Sequence, residues 1–115
     1  MINNRVNALL VSNDTIFSSN SKRIAELAVK HRLPSISRSS GFAEAGGLIQ
    51  YGEDLIDMAK RALTHVDNIL KGAKAADLPV QQPTKFEYAI NLTTAKQIGV
   101  TIPPNVLARA DKVIK

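Results

Sequence analysis

Short apolar runs alternate with amphipathic stretches along this chain. Residues 7–12 (Asn-Ala-Leu-Leu-Val-Ser) form an apolar run closing on polar residues, the pattern of a buried strand. Asn13, Asp14 and Thr15 follow as a loop. Between residues 21 and 32, Ile24, Leu27, Ala28 and His31 recur at helical spacing behind several Ser and Asn cap candidates. Lys30, His31 and Arg32 crowd the last turn, where cations suit the helix dipole. Pro34 stops the helix, and Ser35-Ile36-Ser37 resumes as a short strand. Strand, helix and strand in about 30 residues make a βαβ unit, which predicts parallel strands with a right-handed crossover.

Arg38-Ser39-Ser40-Gly41 reads as a polar loop, and residues 42–45 as one helical turn before Gly46-Gly47. Leu48-Ile49-Gln50-Tyr51 is the third strand. Gly52 punctuates, and Glu53 with Asp54 opens the longest helix at its positive end. Leu55, Ala59, Ala62, Leu63, Val66, Ile69 and Leu70 form a stripe expected to be buried, and Lys71-Gly72 closes the helix. Residues 73–84 make a polar connection held by Pro79 and Pro83. Phe86-Glu87-Tyr88-Ala89-Ile90 alternates as a strand, placed at a sheet edge. A short helix over residues 93–98 ends at Gly99. Pro103-Pro104-Asn105 introduces a last short helix with Val106, Leu107, Ala110 and Val113 on one side. The order β-α-β-β-α-β-α-α predicts an α/β fold, a small mostly parallel sheet flanked by helices, in one domain over residues 1–115.

Composition bounds the function. At 115 residues there is one modest core. With 44% hydrophobic and 22% charged residues the chain is an ordinary globular sequence. Zero cysteines exclude a disulfide scaffold, a thiolate metal site and a cysteine nucleophile. No apolar run approaches the roughly 20 residues that span a bilayer. The opening residues 1–5 carry one positive charge and lead into too short an apolar stretch for a secretory signal, so the chain as it stands is expected to stay where it is made. The net charge of +5 comes from dispersed cations, and aromatics are 4%, too few for a base-stacking platform. Nucleic acid is therefore not the favoured partner.

Catalytic and cofactor chemistry find little support. The two histidines, His31 and His65, lie on different predicted helices without a partner at ligand spacing. Gly46-Gly47 precedes a strand, where a phosphate loop would follow one, so it reads as a bend or a close backbone approach. No Gly-x-Ser-x-Gly elbow is present. No metal, cofactor or enzymatic activity is expected. What remains is positional: ligands of open α/β sheets bind beyond the carboxyl ends of parallel strands. Two such ends carry polar clusters, Asn13, Asp14 and Thr15 after the first strand and Arg38, Ser39 and Ser40 after the second. Side by side they could hold a small zwitterion or acid. The competing explanation is that such loops are polar because they are exposed.

Several segments together resemble the late part of ABC transporter substrate-binding proteins. They are Phe42-Ala43-Glu44-Ala45-Gly46-Gly47-Leu48, Tyr51-Gly52, Val66-Asp67-Asn68-Ile69-Leu70-Lys71-Gly72-Ala73-Lys74 and Ala76-Asp77-Leu78-Pro79-Val80. Gln82-Pro83-Thr84-Lys85-Phe86-Glu87, Ile90-Asn91-Leu92 and Thr94-Ala95-Lys96 continue the resemblance, as does the ending from Ile98-Gly99 to Asp111. The similar group is the one associated with tryptophan- or tyrosine-like amino acids, with a type I periplasmic-binding fold.

The resemblance implies a non-catalytic solute-binding component of an uptake transporter, working with an ABC permease in the periplasm. Its solute would be small, organic and amino-acid-like. Family members are longer, two-lobed chains, and this chain resembles roughly their final third. It implies that the chain crosses to the first lobe near Gly46-Gly47 and returns from Pro83. A fragment of this kind is expected to bind weakly or not at all, and to self-associate through apolar surface, with swapping of the long helix as one route. The resemblance places ligand contacts at Asn13, Asp14 and Thr15 and at Arg38, Ser39 and Ser40. The second loop departs from the family's bulky aromatic and acidic residues. The rival class is a small basic cytoplasmic interaction or regulatory domain touching an acidic partner or nucleic acid, whose binding would weaken steeply with salt.

Overall fold

The computed structural model describes residues 6–115; residues 1–5, considered above for a leader, lie outside them. Five strands form one sheet in the order β1-β2-β3-β4-β5: Leu9–Val11, Ser35–Ser37, Ile49–Glu53, Phe86–Asn91 and Lys112–Ile114. β1 pairs parallel with β2, Val11 opposite Ser37, and β2 pairs parallel with β3, Ser37 opposite Gln50. β4 and β5 are also parallel. β3 and β4 run in opposite directions, since the Asn91 N–H bonds the Leu48 carbonyl (2.9 Å) and the Asp54 N–H bonds the Lys85 carbonyl (3.0 Å). The mostly parallel α/β sheet flanked by helices is the expected architecture.

The chain divides into two compact units, residues up to Gly52 together with Glu87–Lys115, and Glu53–Phe86. In the first, α1 (Thr15–Ser19) and α2 (Ser21–Lys30) link β1 to β2. Thr15 was expected in a loop. Asp14 instead accepts the Ile16 N–H at 2.8 Å, and this cap turns the chain into α1 at Thr15. α2 buries Ala25 and Ala28. Ala25 packs with Val11 and Phe42, joined by Leu9 and Ile24. A second cluster joins Leu48 to Ala95 and Ile98 of α4 (Leu92–Ile98), with Val29, Ile49, Val100 and Ile102 against it. Gly99, at φ 76°, ends α4 as expected.

The segment between β2 and β3 makes a single turn, the Ala45 N–H bonding the Gly41 carbonyl at 2.9 Å, and Gly46-Gly47 is a close approach. A Cβ on Gly47 would stand 2.1 Å from Cε1 of the fully buried Phe42. Asn91 pins this turn. Its Nδ2 donates to the Ala43 carbonyl (2.8 Å), while its Oδ1 accepts the Thr94 N–H (2.9 Å) and so caps α4. The Thr94 hydroxyl donates to the Gly46 carbonyl at 2.9 Å.

Two expectations near the carboxyl terminus are corrected. The last helix, α5 (Pro104–Leu107), is a single turn, and Val113 lies in β5 instead of on its face. The Asp111 N–H bonds the Tyr88 carbonyl (2.8 Å) and its carboxylate accepts the Tyr88 N–H (2.9 Å), which starts β5 along β4. β4 is consequently an interior strand and not an edge.

The second unit is α3 (Leu55–Leu70) and a returning segment with one 3-10 turn at Ala75–Asp77. Asp54 caps α3 by accepting the Ile56 and Asp57 N–H groups, both at 3.0 Å. The Asp57 amide, together with Lys85 Nζ at 3.1 Å, holds its carboxyl below the usual range. The expected buried stripe is not buried: Leu55, Ala59, Ala62, Leu63, Val66, Ile69 and Leu70 are all exposed. The partly buried positions are Asp57, Arg61 and His65, because Arg61 Nε bonds Asp57 at 2.8 Å and its Nη2 reaches Thr84 on the returning segment.

Candidate functional site

The carboxyl ends of β1 and β2 lie side by side, and a run of serines ties the loops that leave them. Ser37, fully buried, donates its hydroxyl to the Val11 carbonyl (3.3 Å) and accepts the Ser39 N–H (3.1 Å). This bond folds the chain back directly after β2, so that Ser39 turns inward at 5% exposure while Arg38 and Ser40 stay outside. The Ser39 hydroxyl lies 2.7 Å from the Ser18 hydroxyl of α1 and donates a longer bond, 3.4 Å, to Asn13 Oδ1.

The structure thus joins Asn13 and Ser39 directly. Asp14 points one oxygen into the start of α1 as its cap, and Thr15 is the first, exposed residue of that helix. Arg38 and Ser40 flank Ser39 on the exposed side. The backbone of β3 closes the other flank: a Cβ on Gly52 would sit 2.3 Å from the Arg38 carbonyl oxygen.

Two further residues belong to this arrangement. Ser18 lies in a polar stretch of α1 with nothing to separate it from Ser19, and only the fold brings it to Ser39. The sequence pattern places Gln50 in a strand and says no more of it. It is 2% exposed, in register beside Ser37, and its Oε1 is buried without a hydrogen-bond partner in the protein. A polar residue inside an otherwise apolar strand was the available signal.

Elsewhere in this unit a cavity of about 300 Å³ opens between α2, the 42–47 turn and α4, lined by Ala25, Val29, Gly46, Thr94 and Gln97 among others. None of the expected site residues lines it. Among the described residues no cluster of three His, Asp or Glu could hold a metal ion. No described helix is long and apolar enough to cross a membrane.

The fold that carries these loops is matched by known proteins. The family model described as ABC transporter substrate binding protein covers residues 1–114. The chain belongs to that family. A conserved domain protein from Vibrio cholerae is similar over 95% of this chain and 37% of its own, at 27% identity and a TM-score of 0.87. The ABC domain from Streptococcus pneumoniae, solved in complex with L-Trp, is similar over 98% of this chain and 39% of its own, at 29% identity and a TM-score of 0.84. A substrate-binding protein with adhesive properties from Clostridium difficile, in a ligand-free open form, shares the fold at 22% identity, over 97% of this chain and 37% of its own, with a TM-score of 0.70. No curated protein sequence matches the chain. It spans about two fifths of the length of these solved relatives.

Proposed function

We propose that this chain is a non-catalytic solute-binding element of an ABC uptake system, acting in the periplasm with a permease. Its solute on this reading is a small amino-acid-like compound. The observation that carries the proposal is the tie between the loops, Ser39 to Ser18 at 2.7 Å and to Asn13 at 3.4 Å, at the point of an open α/β sheet where ligands bind. Membership of the substrate-binding family and the L-Trp held by one relative support the solute class.

The chemistry divides by charge. The Arg38 guanidinium offers a planar fork suited to a carboxylate, and Asp14 an anion for an ammonium group. Asn13, Thr15, Ser39 and Ser40 supply neutral hydrogen bonds. These groups make one wall of a site, so affinity is expected to be weak and the exchange fast. The chain is a half-site on this reading.

An amide proton–nitrogen NMR titration with aromatic and branched amino acids tests it. Saturable shifts confined to Asn13, Asp14, Thr15, Arg38, Ser39 and Ser40, reduced at least tenfold in affinity by Arg38→Ala, are the expected result. A dispersed spectrum that no solute moves would reject the proposal.

A further inference from the structure

Three polar side chains stand over an apolar floor between α2 and α4. The cavity of about 300 Å³ there has Ala25 and Val29 of α2, with Ala45 and Gly46 of the 42–47 turn, as its small walls. Its elements hold one another within a single unit: the Thr94 hydroxyl of α4 bonds the Gly46 carbonyl at 2.9 Å, and a Cβ on Gly46 would lie 3.7 Å from that of Ala25. The hollow is thus shaped on three sides by this chain itself. Gly46 keeps it bare, because at φ 104° a side chain is strained. Its volume reaches the lower end of the range for small-molecule sites.

Glu26, Lys30 and Gln97 line the same cavity and are exposed. Glu26 and Lys30 sit one helical turn apart, in the order that favours an ion pair along a helix. Among the described residues neither makes one, and the Gln97 side chain makes no hydrogen bond. One anion, one cation and one amide therefore face a single apolar floor without partners. Four residues of helix separate the two charges by about 6 Å along its axis. In a free α-amino acid the nitrogen and the carboxyl carbon are about 2.5 Å apart, too close for that span, whereas two extended residues reach up to about 7 Å. The peptide group between them needs a donor and an acceptor, and the Gln97 amide offers both. We propose that this cavity is a dipeptide site: the ammonium on Glu26, the carboxylate on Lys30, the central peptide group on Gln97, and one aliphatic side chain against Ala25, Val29 and Gly46. It stands apart from the loops after β1 and β2 and is independent of the solute assigned to them.

Amide proton–nitrogen NMR of the whole chain, titrated with L-alanyl-L-leucine, is the test. Saturable shifts should appear at Ala25, Val29, Ala45 and Gly46 and in the Gln97 side-chain amide, with Asn13 and Ser39 unmoved. Glu26→Gln and Lys30→Gln, both at exposed positions, should each weaken binding about tenfold and leave the rest of the spectrum in place. The same peptide acetylated and amidated at its ends should lose both charge contacts and bind more weakly than the parent peptide does to either variant. Free L-leucine should leave these amides where they are. The absence of any saturable shift at millimolar peptide overturns the proposal. So does equal binding of the blocked peptide or of free L-leucine, which would reduce the site to an apolar hollow. Shifts at Asn13 and Ser39 in place of Ala25 and Gly46 overturn it as well, and put the dipeptide in the loops after β1 and β2.

Discussion

Gly52 meets Arg38 backbone to backbone: a Cβ at residue 52 would lie 2.3 Å from the Arg38 carbonyl oxygen. β3 therefore passes so close to the loop after β2 that the position of Arg38 depends on residue 52 having no side chain. The nearest atom is backbone and cannot swing aside. Gly52→Ala should cost about 1–3 kcal/mol, as overpacking does, read from the denaturant midpoint. The Arg38, Ser39 and Ser40 amides should shift with it. Unchanged stability and an unmoved loop would show that the strand and loop are not in contact.

Ser39 should behave as the tie between the two loops. Ser39→Ala removes the 2.7 Å contact to Ser18 and the 3.4 Å bond to Asn13. The expected loss is about 0.5–1.5 kcal/mol, the net value of an ordinary hydrogen bond. Asn13→Ala should cost less, because the bond it removes is long. The distinguishing readout is at a distance: in Ser39→Ala the amides of Asn13 and Ser18 should move, although neither is near it in sequence. If they keep their positions, the loops are independent.

Gln50 holds a buried acceptor beside Ser37. Its Oε1 is buried without a partner, and a buried acceptor in that state costs about 1–3 kcal/mol. Gln50→Met keeps length and volume while removing the amide. It should raise the denaturation midpoint, with the fold and the β2–β3 register preserved. A lower midpoint would mean that the amide makes a contact that methionine cannot replace.

Most of this architecture was legible as periodicity and punctuation. The β1-α2-β2 unit shows in apolar spacing broken by Pro34, α3 in its stripe and in Gly72, and α4 in Gly99. That the loops after β1 and β2 lie side by side followed from the βαβ topology. What failed was β5 and the surroundings of α3, both set by partners distant in the sequence. β5 is three residues long, too short to show a period, and is fixed by the exchange between Asp111 and Tyr88. α3 shows the opposite failure. Its stripe was read correctly as amphipathic, but a pattern says which face is apolar and not what covers it; Arg61 and Thr84 draw the polar side inward instead. Ser18 was invisible because nothing in the run Ser18-Ser19-Asn20-Ser21 sets one serine apart from the next.

Arg32 holds a left-handed backbone, φ 53°, where α2 gives way to β2. Its N–H bonds the Val29 carbonyl at 2.9 Å and the next N–H bonds Ala28 at 2.8 Å, a helix closure that glycine usually supplies. A side chain in this region costs about 1–2 kcal/mol. Arg32→Gly recovers part of that and gives back some as chain entropy in the unfolded state. A net gain of up to about 1 kcal/mol is expected, measured by thermal unfolding. A loss would show that the arginine side chain contributes more than its strained backbone costs.

The Glu44–Lys112 pair should leave a signature in the pH dependence of stability. Lys112 Nζ lies 2.7 Å from Glu44 Oε1, joining the 42–47 turn to β5. The hydrogen bond from Lys112 is the main cause that lowers the Glu44 carboxyl below its ordinary value of 4.5. The same bond raises Lys112 above 10.5. A depressed carboxyl contributes stability above its unfolded value and loses it as pH falls through the lower folded value; a raised ammonium contributes below 10.5 and loses it as pH climbs through the higher folded value. The pair is therefore fully formed across neutral pH, and its contribution fades below pH 4.5 and above pH 10.5. Both side chains are more than a third exposed, so the effect is small and screened by salt. Glu44→Gln should lower stability slightly at pH 7 and at low ionic strength, and should converge with the parent chain at pH 2 or in molar salt. Parallel curves from pH 7 to pH 2 would show that the turn and β5 are joined by something other than this ion pair.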